Sequence, residues 1–401
     1  MLAYEPRHCS MTTERRISRR VWVLYAGYLC ALAAMAMVAF ERWLIAPPAG
    51  SRVAADVVWQ HYYPELWSSG LLSEPPAPSD GRFDVLLLGG SVLEQLEPFL
   101  RDEFAQATGA RARIFGLARA AHTSRDSYNK VRRLAGTPVD LVIVYHGIND
   151  VRMNCCPPGT FREDYAHCAW YDSFERRLRR GKLTLTEALQ DRVESIALGA
   201  PERELLDEGR VLKTPAAFRK NVEAIIRRLR EGPRAPEILL ATFALALPEG
   251  YTRDAFEQRR LGYGDGSYKR CPAELWGHPD AVRAGVAAHN RVIRTLALER
   301  TTLFCDLAAT LDARTELFVD PCHLTEEGCR IAAGRLARAA RPAIQRWLER
   351  NSLARTQRTD QAASRGTALP RKSKPIRRTS TGRARDASTG RWHPDRPESG
   401  T

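Results

Sequence analysis

Phe83-Asp84-Val85-Leu86-Leu87-Leu88-Gly89-Gly90-Ser91 is the stretch that sets the architecture of this chain. An apolar run that halts at two glycines and a serine reads as a strand buried on both faces, turning tightly into a helix. Comparable runs follow at residues 112–115, 141–145, 237–243 and 302–307. Helical periodicity fills the intervals at 93–107, 124–134, 215–230, 279–299 and 326–348. Strands alternating with helices predict a parallel sheet covered on both faces, a three-layer α/β/α sandwich.

In such a sheet, chemistry collects outside the carboxyl ends of the strands. Ser91 follows the first strand and opens a helix, where free backbone N–H groups face an incoming anion. Gly147-Ile148-Asn149-Asp150 follows the third strand, and Asp320-Pro321-Cys322-His323 lies in the loop after the last one. Singly, each has an ordinary reading: a tight βα turn, a helix cap, a solvated helix start. Together they supply a nucleophile, an amide donor and an acid–base pair. A serine hydroxyl needs a base within hydrogen-bond reach, and His323 titrates near neutral pH. Asp320, three residues earlier, can face the same way and hold its tautomer.

This pattern resembles the SGNH, or GDSL-like, hydrolases, whose four sequence blocks contribute a Ser, a Gly, an Asn, and a His with its Asp three residues earlier. The resemblance runs from about Asp84 to Leu348. It implies a flavodoxin-like SGNH fold, a Ser91–His323–Asp320 triad, and an oxyanion hole built from the N–H groups of Ser91 and Ala121 and the amide of Asn149. The first, third and last blocks fit in residue, order and strand context. The second departs: with Thr123-Ser124 as its anchor, Ala121 stands where the family has Gly, and Gly116 where it often has Asn. Ala can lend the same N–H if its φ is not strongly positive. The first block reads Gly-Gly-Ser rather than Gly-Asp-Ser, but the replaced Asp is not the triad carboxylate. No phosphate loop, dinucleotide fingerprint or zinc-finger spacing competes, so neither cofactor nor metal is expected.

Residues 21–40 are uncharged and largely apolar, about the 20 residues a helix needs to cross a bilayer. Arg15, Arg16, Arg19 and Arg20 precede them, so the positive-inside rule puts residues 1–20 in the cytoplasm and everything after Phe40 outside, periplasmic or extracellular. The other reading is a cleaved signal peptide, with Ala34-Met35-Ala36 as the cleavage pattern. The net charge of +14 invites a nucleic-acid partner. Much of the surplus, however, lies in residues 351–401, a Ser/Thr/Arg/Pro-rich stretch too poor in large apolar residues to fold alone. It is expected to be a disordered basic tail, or else an arm for acidic polysaccharide or lipid headgroups; nucleic acid is not an expected partner on the outer face of a membrane. Of nine cysteines, seven fall after the apolar segment, where an oxidising compartment would pair some of them. The expected pairs are Cys168 with Cys155 or Cys156, and Cys322 with Cys271 unless Cys322 stays buried as a small hydrophobe.

Residues 41–80 read as a linker and an aromatic-rich approach that packs onto the hydrolase domain, 81–350. Two long insertions, 151–213 and 244–279, emerge at the catalytic end of the sheet, where such segments are usually lids or binding loops. Arg152, Asn154, His167, Trp170 and Tyr171 in the first, with Tyr251, Tyr263, Tyr268, Lys269 and Arg270 in the second, suit a sugar; they would equally pack and cap the insertions. His146 and His122 read as structural histidines. The expected activity is hydrolysis of an O-acyl ester on a cell-envelope glycan. The alternatives are an O-acyltransferase using the same triad and a non-catalytic glycan-binding scaffold; oligomeric state is left open.

Overall fold

All five apolar runs become strands in the computed structural model, which describes residues 19–40, 52–77, 80–134, 136–180, 208–232, 234–264, 271–312 and 314–366. They are β1 (Phe83–Gly89), β2 (Ala112–Gly116), β3 (Leu141–Tyr145), β4 (Glu237–Ala241) and β5 (Leu303–Cys305). All pair in parallel, in the order β2-β1-β3-β4-β5, with Val85 opposite Leu141 and Phe83 opposite Ala112. This is the doubly wound order in which the chain reverses direction between β1 and β3, leaving a crevice at the carboxyl ends of those two strands.

The strand side chains divide between two cores. Phe83, Val85, Leu87, Leu141, Ile143 and Leu239 enter one; Leu86, Leu88, Val142, Val144, Ile238 and Leu240 enter the other. Successive residues on a strand face opposite ways, so both faces are apolar and both need cover. Helices α4 (Ser91–Thr108), α12 (Glu326–Ala339) and α13 (Arg341–Gly366) supply Leu96, Leu100, Phe104, Leu336 and Trp347 to the first core. Helices α5 (Ser124–Arg133), α8 (Thr214–Arg230) and α10 (Pro279–Glu299) cover the second with Val131, Phe218, Ile225 and Ile293. Shorter elements are α6 (Ile148–Val151), α7 (Ala169–Arg180), α9 (Arg253–Glu257) and α11 (Leu307–Leu311).

The boundaries differ from the sequence reading where side chains capture the backbone. The fourth strand stops at Ala241 because Phe243 N–H donates to Asn290 Oδ1 (2.7 Å) and Thr242 Oγ1 donates to Asp306 Oδ1 (2.7 Å). Asp306 in turn caps α11, which shortens the last strand. The helix expected over 326–348 is two, broken at Ala340, since Pro342 has no N–H to donate to the Arg338 carbonyl and its ring crowds that carbonyl.

Helices α2 (Arg52–Tyr62) and α3 (Glu65–Ser68) carry the aromatic approach. Val58, Trp59, Tyr62, Tyr63 and Leu66 are buried against α5, α7 and the sheet, so this segment is part of the second core rather than a cover on its surface. Helix α1 (Arg19–Phe40) is long and apolar enough to cross a membrane: its Arg20–Met37 window has a mean hydropathy of 1.5 and none of it is buried. A signal sequence has the same length and composition. The chain falls into two compact units, Met1–Asn351 and Ser352–Thr401. Residues 1–18, most of the tail, 181–207 of the first insertion, and Tyr268, Lys269 and Arg270 lie outside the described residues.

Candidate active site

Strand β1 delivers Ser91 to the crevice. Its last residue, Gly89, is wedged against Leu93 and the Tyr145 carbonyl, which a Cβ would meet at 2.7–2.8 Å. Gly90 is the N-cap of α4, and Ser91 is the first residue of that helix. The hydroxyl of Ser91 therefore sits at a positive helix end, where developing negative charge is favoured.

The loop after α11 delivers the other two side chains. Phe318 and Leu324 form an antiparallel bridge, and Val319 N–H donates to the His323 carbonyl (2.9 Å), closing a tight turn around Asp320. Inside it, the carboxylate of Asp320 accepts from the backbone N–H of Cys322 (3.0 Å) and of His323 (2.8 Å), and lies 2.7 Å from His323 Nδ1. His323 Nε2 lies 2.9 Å from Ser91 Oγ. Gln95, one helical turn beyond Ser91, ties the turn to α4: its Nε2 donates to the Leu324 carbonyl (2.7 Å) and its Oε1 accepts from Leu324 N–H (3.1 Å). Gln95 was not singled out from sequence; the available signal was its position one turn after the serine.

Electrostatics follow from burial and pairing. Asp320 is fully buried; burial alone would raise its pKa, but hydrogen bonds and the charge of His323 hold it below the ordinary carboxylate range. For His323, burial works to lower the pKa and is outweighed by the Asp320 carboxylate and by Cys271, so the imidazole is pushed up to about 9.

The loop carrying Ala121 runs back along Gly89 and Gly90. Arg119 N–H donates to the Gly89 carbonyl (3.2 Å), and Asn149 Nδ2 donates to the His122 carbonyl (3.0 Å). A Cβ on Gly90 would lie 2.6 Å from Asn149 Nδ2 and 3.3 Å from the His122 carbonyl oxygen. Ala121 has φ 64°, in the left-handed region. The condition attached to it in the sequence reading is therefore not met, and the residue carries about 1 kcal/mol of strain that glycine would avoid.

That strain is held by buried polar groups. Thr123 caps α5 in a reciprocal box with Asp126, whose carboxylate also accepts from Tyr171 (2.6 Å), Tyr63 (3.1 Å) and Trp170 Nε1 (3.1 Å). Asp150 accepts from Ser124 N–H (3.0 Å) and Tyr165 (3.0 Å), and burial pushes its carboxyl up to about 7. Lys130, completely buried, pairs with Glu65 of α3 (2.8 Å) and contacts His122 Nδ1 (2.8 Å). Trp170 and Tyr171, which sequence offered as sugar contacts, thus brace this loop. Likewise the Tyr251 hydroxyl accepts from Ala273 N–H (2.7 Å), and Tyr263 donates to the Ala246 carbonyl (2.9 Å). His146 is buried against Ser127 (2.8 Å), and burial lowers its pKa to about 3.

The expected disulfides are absent among the described residues, where every cysteine is a free thiol. Cys155 donates to the Trp276 carbonyl (3.3 Å), whereas Cys156 lies 3.8 Å from Lys213 Nζ, so both are engaged away from Cys168. Cys322 is buried, its thiol hydrogen-bonded to His323 Nδ1 (3.5 Å) and beside that of Cys271, with no disulfide between the two cysteines. The sequence reading brought Cys271 to Cys322 as a disulfide; the two thiols do approach one another, but without the bond.

Residues 88–331, more than half of the chain, match the GDSL-like Lipase/Acylhydrolase family. No curated protein matches. Solved structures similar to this chain include the M. smegmatis aryl esterase (14% identity, 65% of this chain and 99% of that one, TM-score 0.38). Others are a carbohydrate acetylesterase family member from Sinorhizobium meliloti (16%, 66% and 99%, TM-score 0.37) and a lipase/acylhydrolase from Enterococcus faecalis (14%, 64% and 94%, TM-score 0.34). With its parallel doubly wound sheet and the family match running from the end of β1 into α12, the chain belongs to the GDSL-like lipase/acylhydrolases and is an ester-hydrolysing enzyme.

Proposed function

We propose that the chain is an extracytoplasmic serine esterase that removes an O-acyl group from a cell-envelope polysaccharide, with Ser91, His323 and Asp320 as its triad. The observation that carries this reading is the unbroken relay from Ser91 Oγ through both ring nitrogens of His323 to a buried carboxylate. Neutral His323 takes the hydroxyl proton at Nε2 as Ser91 attacks the ester carbonyl, and Asp320 stabilises the imidazolium that forms. The N–H groups of Ser91 and Ala121 and the Asn149 amide stabilise the oxyanion. His323 then returns the proton to the departing sugar oxygen. Water, activated by the same imidazole, releases the acid from the acyl-enzyme.

The glycan and the location rest on two supports. Helix α1 with the preceding arginines fits a membrane anchor whose following domain lies outside. A cleft of about 710 Å³ lies between the two insertions; Arg152, His167, Glu208, Arg253 and His278 line it together with apolar Met153, Pro157 and Leu275, and none of Ser91, Asp320 and His323 does, so its part would be to hold the glycan away from the acyl group. Acetate release from O-acetylated envelope glycan by the purified protein tests the substrate; release from simple aryl esters with none from the glycan would contradict it. A reporter active only outside the membrane, working when fused after Arg350 and failing before Arg15, tests the orientation.

A further inference from the structure

Beside the triad lies a group of side chains that the esterase reaction does not use. Cys271, near the end of the second insertion, and Cys322, between Asp320 and His323, bring their thiols close to the imidazole, Cys322 on its Nδ1 side, away from Ser91. One ligand atom each of Cys271, Cys322, His323 and Asp320 all lie within 4.8 Å of one another. Cys322 Sγ is 3.5 Å from His323 Nδ1. Two ligands on a tetrahedral zinc, at about 2.3 Å for sulfur and 2.0–2.1 Å for nitrogen, stand about 3.5 Å apart. Cys322 and His323 already have that spacing.

Soft thiolates joined to an imidazole and a carboxylate select a thiophilic divalent cation over magnesium or calcium. Cys322 and Asp320 are buried, and Cys271 and His323 are half-buried, so the group is shielded yet reachable. The 2.7 Å contact between Nδ1 and Asp320 is shorter than two ligands of one metal allow. Coordination must therefore open it.

We infer that Cys271, Cys322 and His323, with Asp320, form an inhibitory site for Zn²⁺ or a similar thiophilic cation, a regulation of the triad that rests on the function proposed above. Binding releases the thiol protons and takes Nδ1 as a ligand. The neutral ring then carries its proton on Nε2 and cannot accept the one from Ser91. Asp320 is drawn from orienting His323 to ligating the metal. The site is an off state of the esterase, reversed by removal of the cation.

The test uses the full chain, reduced and freed of metal, with Co²⁺ and Zn²⁺ as probes. Expected are one equivalent of Co²⁺ with a thiolate-to-cobalt charge-transfer band, and at least a tenfold fall in hydrolysis of a chromogenic acetyl ester when Zn²⁺ saturates the site, restored by EDTA. Cys271→Ser, compared with its own metal-free rate, should lose the band and most of the inhibition; Cys322→Ala is the second variant should the first misfold. The cobalt band needs no active serine, so a Ser91→Ala protein that keeps the band but also keeps its hydrolysis would refute the triad and leave the metal site standing. Absence of the charge-transfer band would overturn the site. So would equal zinc inhibition in Cys271→Ser, or inhibition reversed by reductant instead of chelator.

Discussion

The amide nitrogen of Asn149 packs so closely on Gly90 that a methyl group added to that glycine would lie 2.6 Å from it. Position 90 therefore sets where the Asn149 amide stands, although it offers no side chain of its own. Gly90→Ala should displace the amide and lower kcat by about ten- to a hundredfold, while Asn149→Ala, which removes the donor, should cost about a hundred- to a thousandfold. Steady-state kinetics on a chromogenic ester measure both. Unchanged kcat in Asn149→Ala would remove that residue from the oxyanion hole.

Ala121 stands in the left-handed region at φ 64°. Replacing it with Gly should stabilise the fold by no more than about 0.5 kcal/mol, since the added freedom of the unfolded chain offsets much of the lost strain. Ala121→Val, with a branched side chain, should destabilise it and lower activity as the loop shifts its N–H. Denaturant unfolding of the three proteins gives the order.

Lys130 is buried in an ion pair with Glu65, and burial lowers its pKa against the opposing pull of Glu65. Lys130→Met leaves the buried Glu65 carboxylate with only its longer contacts, to His122 (3.7 Å) and Arg119 (3.9 Å), and should destabilise the protein by up to about 3 kcal/mol. The double variant with Glu65→Gln should regain most of that loss. Equal stability of the single and double variants would show that the pair is uncoupled.

The pH profile follows from His323. Its pKa is raised to about 9, and only the neutral imidazole can take the serine proton, so kcat/KM should climb through neutral pH and level off above about 9. Stability runs the other way. The imidazolium–Asp320 pair contributes fully below the ordinary histidine value of about 6.5, and that contribution is lost as pH rises through about 9. Both are measured with chelator present. A flat rate profile between pH 6 and 9 would contradict the assignment of His323 as base.

Most of the fold was legible because doubly wound sheets write their strands as plain apolar runs; residues 141–145 and 279–299 were bounded correctly from periodicity alone. The misjudged ends, at Ala241 and Ala340, depend on Asn290, a side chain distant in sequence, and on a single proline, Pro342. Ser91, Asp320 and His323 were visible because each closes a local pattern. Gln95 was not, since its partner Leu324 is set only by tertiary packing. Nothing in the sequence marked that Tyr171 would be buried onto Asp126, or that the half-exposed Trp170 would reach the same carboxylate with its Nε1.

The central claim is that Ser91 is the nucleophile activated by His323. A fluorophosphonate probe, followed by intact mass and peptide mapping, tests it directly. The account predicts a single adduct on Ser91, formed more slowly in Gly90→Ala and Asn149→Ala, slowed by orders of magnitude in His323→Ala, and absent from Ser91→Ala, which should also lose ester hydrolysis. An adduct on another residue, or near wild-type hydrolysis by Ser91→Ala, would contradict it.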